Sequence, residues 1–283
     1  MKLPGRLFAR EIHHSFGRVS IALPSDHKLP KYRRAHADYD RFLPHLATFI
    51  ESGKTVIDIG ANCGDTLAAM FSANPALRYV CIEPDDGFYA YLERNVAGIV
   101  AADSSAAVRT IKSLVGNSVV AASLAGSGGT KHAVPSAEGQ MKSCRLDDIL
   151  ASENCRQIRL IKSDVDGFDF DVLDSATSVL AQSKALVYFE CQLADGIQAA
   201  GFDASIKSLI ACGYSDWSVF DNFGQFMLRT SDPGMLTQLL AYLAGQNRAR
   251  STRTIYYYDL LAATGTDAAL VGEVLRSYVR SGD

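Results

Sequence analysis

The sequence has little that marks a membrane protein or a nucleic-acid-binding protein. No stretch reaches the roughly 18 consecutive apolar residues of a membrane-spanning helix, and the first residues lack the apolar segment of a secretory signal. No long run of like charges occurs and the net charge is −3, which argues against bulk electrostatic capture of nucleic acid or an anionic membrane. We therefore expect a cytoplasmic protein with no nucleic-acid partner and no membrane insertion.

Cysteine and histidine patterns for metal binding are also missing. The six cysteines form no CxxC pair, and Cys63, Cys81 and Cys191 lie in or beside strand-like runs, where reduced cysteines serve as small buried hydrophobes. All histidines except His132 fall within the first 45 residues, at spacings that match no zinc site. These residues therefore predict no metal centre.

What is present is typical of a globular α/β protein. Hydrophobic residues make up 48% of the 283-residue chain and charged residues 21%. Short, β-branched apolar runs at 55–59 and 78–83 alternate with helical patterns at 65–74 and 85–96. This alternation predicts a doubly wound, mostly parallel sheet.

The remaining chain is less regular. Apolar runs at 157–163 and 185–191 predict further strands, and 214–230 predicts a closing antiparallel hairpin. Residues 104–116 predict a helix, and the glycine- and serine-rich stretch 126–140 predicts a loop or a lid over a site. We divide the chain into an N-terminal helical cap (1–52), a core domain (53–230) and a C-terminal helical extension (231–283).

The turn after the first core strand, "GANCGD", indicates what the core binds. Gly60 and Gly64 are four residues apart, whereas a dinucleotide site needs three closely spaced glycines for its pyrophosphate. Five carboxylates follow the first two core strands or flank their turns: Asp58, Asp65, Glu83, Asp85 and Asp86. They would repel a pyrophosphate and suit a ligand with a positive charge and free hydroxyls. S-adenosylmethionine is such a ligand.

The donor would be held by groups of both turns. Glu83 is placed to accept both hydrogen bonds of the ribose diol, Asp58 or an adjacent backbone carbonyl would face the ammonium group, and first-turn amides would take the carboxylate. The predicted donor site comprises Asp58, Gly60, Ala61, Asn62, Gly64, Asp65, Glu83 and Pro84. The turn by itself also has an alternative interpretation, in which it only begins a helix and the Asp65 carboxylate is a favourable charge in the first helical turn.

The sequence resembles the FkbM-type family of class I methyltransferases. The resembling stretches cover residues 40–228 and include "VIDIGANCGDT", "VCIEPDDGFYAYLERNV", "CRLDDIL", "LIKSDVDGFDFDVLDSA", "YFECQ" and "VFDNFGQ". The resemblance implies a Rossmann-like seven-stranded sheet with a C-terminal antiparallel hairpin. It also implies an O-methyltransferase acting on bacterial surface glycans, related sugars or polyketides. The family's Lys-x-Asp-x-Glu-Gly stretch falls on residues 162–167, with Asp166 in place of the usual Glu.

The acidic turn "SDVDGFD" offers candidate catalytic groups. Asp164, Asp166 and Glu190 follow or end predicted strands and are candidates for the general base that removes the acceptor's hydroxyl proton. An alternative role for Asp164 or Asp166 is to orient a sugar hydroxyl, and the later acids of the segment could serve only to complement a helix dipole. Five aspartates within residues 164–174 also raise the separate hypothesis of a divalent cation held by oxygen ligands.

The stretch "TIYYYDLL" is the other segment that could contact a sugar, because aromatic rings pack on apolar sugar faces. A half-buried strand with Tyr256 and Tyr258 on one face is the interpretation we favour.

Three functions stay open: carbohydrate O-methylation, O-methylation of a polyketide or other small metabolite, and donor binding without catalysis. A nicotinamide-dependent oxidoreductase is disfavoured by the glycine spacing. We expect a small-molecule or glycan partner and consider a homodimer.

Overall fold

The computed structural model describes residues 11–117, 121–126, 129, 131–135, 141–249 and 253–280. It begins with a two-stranded antiparallel hairpin and two short helices: β1 (Glu11–Phe16), β2 (Val19–Pro24), α1 (Leu29–Ala35) and α2 (Phe42–Ala47). The helical cap predicted for residues 1–52 is therefore wrong at 11–24. Side chains of β1 alternate between exposed and partly buried and Gly17 turns the chain at φ +54°, a period-two pattern that favours strands.

Two strand–helix units and an edge strand follow: β3 (Thr55–Ile59), α3 (Asp65–Ala73), β4 (Arg78–Ile82), α4 (Asp86–Ala102) and β5 (Ala107–Ile111). Every residue of β3 is buried, as expected where helices cover both faces of a parallel sheet. The helix predicted for 104–116 is wrong. Val108, Thr110 and Ile111 have β-branched side chains, and this segment extends the sheet by pairing with β4.

A small second sheet has the order β6-β9-β7-β8. Its strands are β6 (Leu114–Val115), β7 (Ala121–Ala125), β8 (His132–Pro135) and β9 (Met141–Cys144). The stretch predicted as a loop or lid, 126–140, thus contains β8. Its residues 127–128, 130 and 136–140 lie outside the described part of the chain.

The second half of the chain completes the main sheet and its helical layers. Its elements are α5 (Leu146–Ser152), β10 (Ile158–Ser163), α6 (Asp169–Asp174), α7 (Thr177–Ser183), β11 (Leu186–Gln192), α8 (Gly196–Ala211), β12 (Tyr214–Asp221), β13 (Phe226–Thr230), α9 (Pro233–Ala249), β14 (Tyr257–Thr264), a 3-10 helix (Gly265–Asp267) and α10 (Ala268–Arg280). No helix among the described residues is both long and apolar enough to cross a membrane.

The main sheet is mostly parallel, as predicted, with the strand order β13-β12-β14-β11-β10-β3-β4-β5. The predicted count of seven strands is wrong, because the sheet of the described residues has eight. A hairpin of β12 and β13 is present, but the last strand, β14, inserts antiparallel between β11 and β12. Residues 231–283 are therefore not a purely helical extension, and the predicted boundary at residue 230 cuts through the sheet.

This topology defines the edge at which a ligand site forms. The chain winds from β3 to β4 on one side, whereas β10 pairs with β3 on the other side. Ligands of such open sheets bind at this switch point, beyond the carboxyl ends of the strands. Because β14 runs antiparallel to β11, its first residues reach the same edge.

Candidate active site

The loop after β3 is shaped by two glycines with positive φ. At Gly60 (φ +72°) a Cβ atom would lie 1.9 Å from the backbone oxygen of Asp164, so only glycine lets the β3 and β10 ends approach this closely. Gly64 (φ +85°) precedes α3, and a Cβ there would lie 2.9 Å from the Leu92 side chain. The GxxxG spacing therefore reflects packing at the switch point.

Glu83 follows β4 and is 5% exposed. Its Oε2 accepts a hydrogen bond from the Asn62 backbone N–H (2.9 Å), and its Oε1 accepts one from Asp85 N–H (2.8 Å). Burial raises the pKa of this carboxyl to about 7. A carboxylate has about four acceptor positions, so each oxygen retains one for a ligand.

A cavity of 340 Å³, which we call the first chamber, opens beside this loop. Five of the eight predicted donor-site residues line it: Gly60, Asn62, Asp65, Glu83 and Pro84. Ala61 and Gly64 shape the loop without lining it. Further walls come from residues that the sequence analysis did not select: His27, Leu29, Phe88, Lys131, Val165 and Phe168.

Asp58 does not line the first chamber. Its carboxylate is fully buried and lies 3.0 Å from the ammonium of Lys162 on β10. The same ammonium donates to the Gly60 carbonyl at 3.1 Å, and the Asp58 carboxylate raises the pKa of Lys162. Of the two predicted partners for a donor ammonium group, the Asp58 side chain is directed elsewhere, and a backbone carbonyl such as that of Gly60 remains.

The N-terminal segment and the second sheet close the first chamber. Asn62 (φ +50°) donates from Nδ2 to the Gly129 carbonyl at 2.7 Å, and its Oδ1 lies 3.3 Å from His27 Nε2. Lys131 Nζ lies 2.6 Å from Asp85 Oδ2, while the other Asp85 oxygen caps α4. These contacts fix three separate chain segments around the loop.

A second cavity of 220 Å³, the second chamber, shares part of its wall with the first. The residues common to both are Tyr32, Tyr39, Asp40, Thr66, Lys162, Asp164 and Asp166. The second chamber alone is lined by Tyr188, Glu190, Gln192, Asn222, Tyr256, Tyr257 and Asp259, with Phe42, Leu43 and Gly224. All three predicted catalytic acids therefore lie on its wall.

These three acids differ in their surroundings. The Asp164 side chain is 52% exposed and lies 3.7 Å from Lys162 Nζ. Asp166 has a positive φ of 55°, and burial raises the pKa of its carboxyl to about 6. Glu190 is 9% exposed, and burial together with neighbouring acids raises its pKa well above the usual value. Asp166 is thus a partly buried acid that lines both chambers and has a pKa of about 6, so that it is ionised at neutral pH.

The other aspartates of residues 164–174 stabilise local structure. Asp169 Oδ1 accepts from the Ser163 hydroxyl at 2.6 Å, and Asp171 accepts from Asn117 N–H at 3.1 Å. Asp174 is hydrogen bonded to the Asn117 side chain. Within the described residues, no group of three or more His, Cys, Asp or Glu is arranged to hold a metal ion.

The stretch "TIYYYDLL" contributes a strand and part of the chamber wall. The strand favoured by the sequence is present as β14, and Tyr258 is buried in the core on one face of the sheet. Tyr256 precedes the strand and lines the second chamber together with Tyr257. The prediction that Tyr256 and Tyr258 share a face is therefore wrong.

Several wall residues were missed by sequence analysis, although signals for two of them exist. Lys162 follows an apolar pair in β10 and Asp259 precedes an apolar run in β14, and a charged residue within a buried strand requires a partner or a function. Asp40 and Asn222 gave no such signal, because they lie in turns where polar residues are ordinary.

Comparisons with known proteins place this geometry in context. A family model described as the methyltransferase FkbM domain matches residues 58–215. No curated protein matches the chain. Among solved structures, an FkbM methyltransferase from Methylobacillus flagellatus KT is similar, with 14% identity over 58% of this chain and a TM-score of 0.42. This chain spans 39% of that protein.

Two further solved structures cover more of the chain. The M. jannaschii protein TYW2, in complex with AdoMet, has 9% identity over 90% of this chain and 87% of its own, with a TM-score of 0.44. The plantazolicin methyltransferase BpumL, in complex with SAH, has 11% identity over 83% of this chain and 88% of its own, with a TM-score of 0.41.

Proposed function

The chain belongs to the FkbM methyltransferase family, and we propose that it transfers a methyl group from S-adenosylmethionine to a hydroxyl of a carbohydrate, in a bacterial surface glycan or a related sugar. The observation that carries this proposal is the pair of chambers that meet at Lys162, Asp164 and Asp166. One chamber fits the donor and the other fits the acceptor.

The residues of the first chamber fit this donor, which supplies an electrophilic methyl group on a sulfonium. Glu83 retains one free acceptor position on each oxygen, which matches the two hydroxyls of a ribose diol. The first turn of α3 offers backbone N–H groups for the donor carboxylate. Gly60 and Asp65 line the wall where a cationic group would be favoured.

The second chamber supports a small polar acceptor. Its volume of 220 Å³ is below the roughly 300–1,000 Å³ of sites for drug-sized ligands, so it suits a single ring. Tyr256 and Tyr257 supply aromatic surface on which the apolar face of a sugar packs. Glu190, Gln192 and Asn222 supply polar groups for hydroxyls.

Asp166 is the proposed general base. The acceptor oxygen forms a bond to the methyl carbon as the carbon–sulfur bond breaks, and the hydroxyl proton passes to the Asp166 carboxylate. A base with a pKa of about 6 is ionised at neutral pH and still accepts a proton. Holding oxygen and methyl in line accounts for much of the acceleration in such displacements. Asp164 would orient a hydroxyl from the same wall.

A calorimetric titration with S-adenosylmethionine tests the donor site. We expect binding that weakens at least about tenfold in Glu83→Ala, since two hydrogen bonds to a charged group are lost, and no heat with NAD. Formation of S-adenosylhomocysteine with a panel of sugars and polyketide alcohols then tests the acceptor class. Donor binding without turnover of any acceptor would instead indicate a binding module that has lost catalysis.

A further inference from the structure

We propose that the second chamber recognises an acceptor that carries a protonated amino group, so that the substrate class is an amino sugar or a similar amine-bearing polyol. This inference rests on the proposed function and specifies its acceptor. The methylated atom remains a hydroxyl oxygen.

The charge balance of the chamber wall is the first observation. Five carboxyl groups line it: Asp40, Asp164, Asp166, Glu190 and Asp259. Among the described lining residues the one basic side chain is Lys162. Its ammonium lies 3.0 Å from Asp58, outside the chamber, and 3.7 Å from Asp164. A single cation shared between these two acids leaves the other carboxyl groups of the wall without a matching positive charge.

Glu190 and Asp259 show how this charge is concentrated. They are directly opposite each other in the antiparallel register of β11 and β14, a position in which Cβ atoms are about 4.5–5.5 Å apart. Like charges in such a pair destabilise a sheet. A cation between the two carboxyl groups would convert this repulsion into two charge-assisted hydrogen bonds.

A buried polar group without a partner on the chamber wall, the Asn222 side-chain amide, gives an independent indication of a ligand. Glu190 is 9% exposed and lines the same chamber. Asn222 accepts from Tyr256 N–H through Oδ1, but its Nδ2 is buried and makes no hydrogen bond to any described residue. Buried polar groups are normally paired, so Asn222 Nδ2 is suited to a hydroxyl of a bound molecule, and Glu190 on the same wall is suited to its ammonium.

The same charges decide which atom of the acceptor reacts. Carboxylates next to an amine favour its protonated form, and an ammonium nitrogen has no lone pair for attack on a methyl group. The amine therefore serves recognition, and the hydroxyl nearest Asp166 is the nucleophile. Transfer of the hydroxyl proton to Asp166 balances the step.

Binding of a cation should also release protons. Burial and neighbouring acids raise the pKa values of Glu190 and Asp259 well above the usual range, so these carboxyl groups keep their protons to a higher pH than ordinary carboxyl groups. An ammonium lowers these pKa values, so affinity should increase as pH rises, up to the pH at which the ligand amine loses its own proton. The titratable and charged groups that face the pair are Tyr39 and Asp40 before α2, Lys162, Asp164, Asp166 and Asp169 on or after β10, Tyr188 on β11, and Tyr256 and Tyr257 at β14.

Matched sugars test the inference by calorimetry on the protein saturated with S-adenosylhomocysteine. The probes are the methyl glycosides of glucosamine, N-acetylglucosamine and glucose. We expect the glucosaminide to bind at least about tenfold more tightly than the two neutral sugars, with proton release seen as a dependence of the heat on the buffer. Asp259→Asn should remove this preference and leave affinity for S-adenosylhomocysteine unchanged. Asp203→Asn, on the exposed face of α8, should retain it.

Each contrary result would overturn a different part of the argument: the acceptor class, the role of the carboxyl pair or the proposed function. Equal binding of glucoside and glucosaminide, or no binding of the glucosaminide, would overturn the inference and leave the proposed donor chemistry intact. A preference that survives in Asp259→Asn would overturn the assignment of the carboxyl pair. Failure of S-adenosylhomocysteine to bind would overturn the proposed function, and the inference with it.

Discussion

Lys162 on β10 and Asp58 on β3 are direct neighbours in the parallel register of the sheet, and their charged groups form a buried ion pair with 3.0 Å between Nζ and Oδ1. The Lys162 ammonium also donates to the Gly60 carbonyl. One side chain thus connects the two strands at the switch point with the loop that begins the first chamber.

Replacing this lysine should be costly because it leaves a buried carboxylate without compensation. We expect Lys162→Met to lower the free energy of unfolding by about 3–5 kcal/mol and to abolish donor binding. The double variant Asp58→Asn/Lys162→Met should recover part of the stability, because no unpaired charge remains. Urea denaturation measures the unfolding free energy of the single and the double variant, and Lys207→Met on the exposed face of α8 is the control. Equal losses in single and double variants would contradict the ion-pair account.

Gly60 should tolerate no side chain. In Gly60→Ala the new Cβ would lie 1.9 Å from a backbone oxygen, so β3 and β10 would have to separate and donor binding should be lost. Gly53 is the matched control, since it has a similar φ of +79° and an added Cβ would meet no atom within 4 Å. Gly53→Ala should cost only about 1–2 kcal/mol of left-handed strain and leave donor affinity intact. Similar effects of both variants on donor affinity would exclude the steric explanation.

Those parts of the fold that depend on local pattern were predictable from the sequence. Strands such as β3 are short, mostly apolar and β-branched runs with clear ends, and Glu83 follows the second of them. β5 was mistaken for a helix because an edge strand is half exposed and lacks strict alternation. The position of β14 between β11 and β12 depends on pairing across distant segments, which no local pattern records.

The candidate site, like the fold, has one part that a local sequence pattern indicates and another part that depends on distant segments of the chain. The turn that we propose to hold the donor stands out in the sequence because glycines and acids cluster within a few residues. The second chamber is assembled from separate parts of the chain, from Tyr32 to Asp259, and only the fold brings them together. Asp58 was predicted to face the donor's ammonium group, whereas in the structure it is paired with Lys162, which is distant in sequence and is a neighbour only in the sheet.

Donor affinity should depend on the ionisation of Glu83. Burial raises the pKa of this carboxyl to about 7, and only the carboxylate can accept both ribose hydrogen bonds while retaining its backbone partners. Affinity for S-adenosylmethionine should therefore fall as pH decreases through about 7. In Glu83→Gln the affinity should be lower and its pH dependence flatter, whereas Glu93→Gln on the exposed side of α4 should behave as the wild type. An unchanged profile in Glu83→Gln would reject this assignment.

Stability should decrease as pH rises through the range in which the buried acids ionise. Burial raises the pKa values of Glu83 and Asp169 from 4.5 and 3.8 to about 7. Between these limits the two carboxyl groups bind more protons in the folded state than in the unfolded state, so their contribution to the unfolding free energy is greatest below about pH 4 and falls by a few kcal/mol by about pH 7. Asp169→Asn should weaken this dependence in urea denaturation across the range. Stability that increases with pH in the wild type would contradict the prediction.

Tyr257 should contribute to acceptor binding without affecting the donor. Its ring lines the second chamber only, and its hydroxyl makes a long 3.4 Å contact to the Asn222 carbonyl, so the ring is its main contribution. Loss of aromatic packing worth about 0.5–1.5 kcal/mol beyond its buried area should raise the acceptor KM in Tyr257→Ala by about tenfold. The donor Kd should not change, and Tyr257→Phe should stay close to the wild type.

Tyr258→Phe provides the matched control for this tyrosine. Tyr258 is the next residue of the strand, but its side chain is buried in a hydrophobic core and does not line the second chamber. Its buried hydroxyl has no hydrogen-bond partner among the described residues. Removing that hydroxyl should leave both KM values unchanged and should not destabilise the protein, because no hydrogen bond is lost. If Tyr257→Ala changed donor and acceptor binding equally, the ring would support the fold of the sheet edge and would not contact the acceptor.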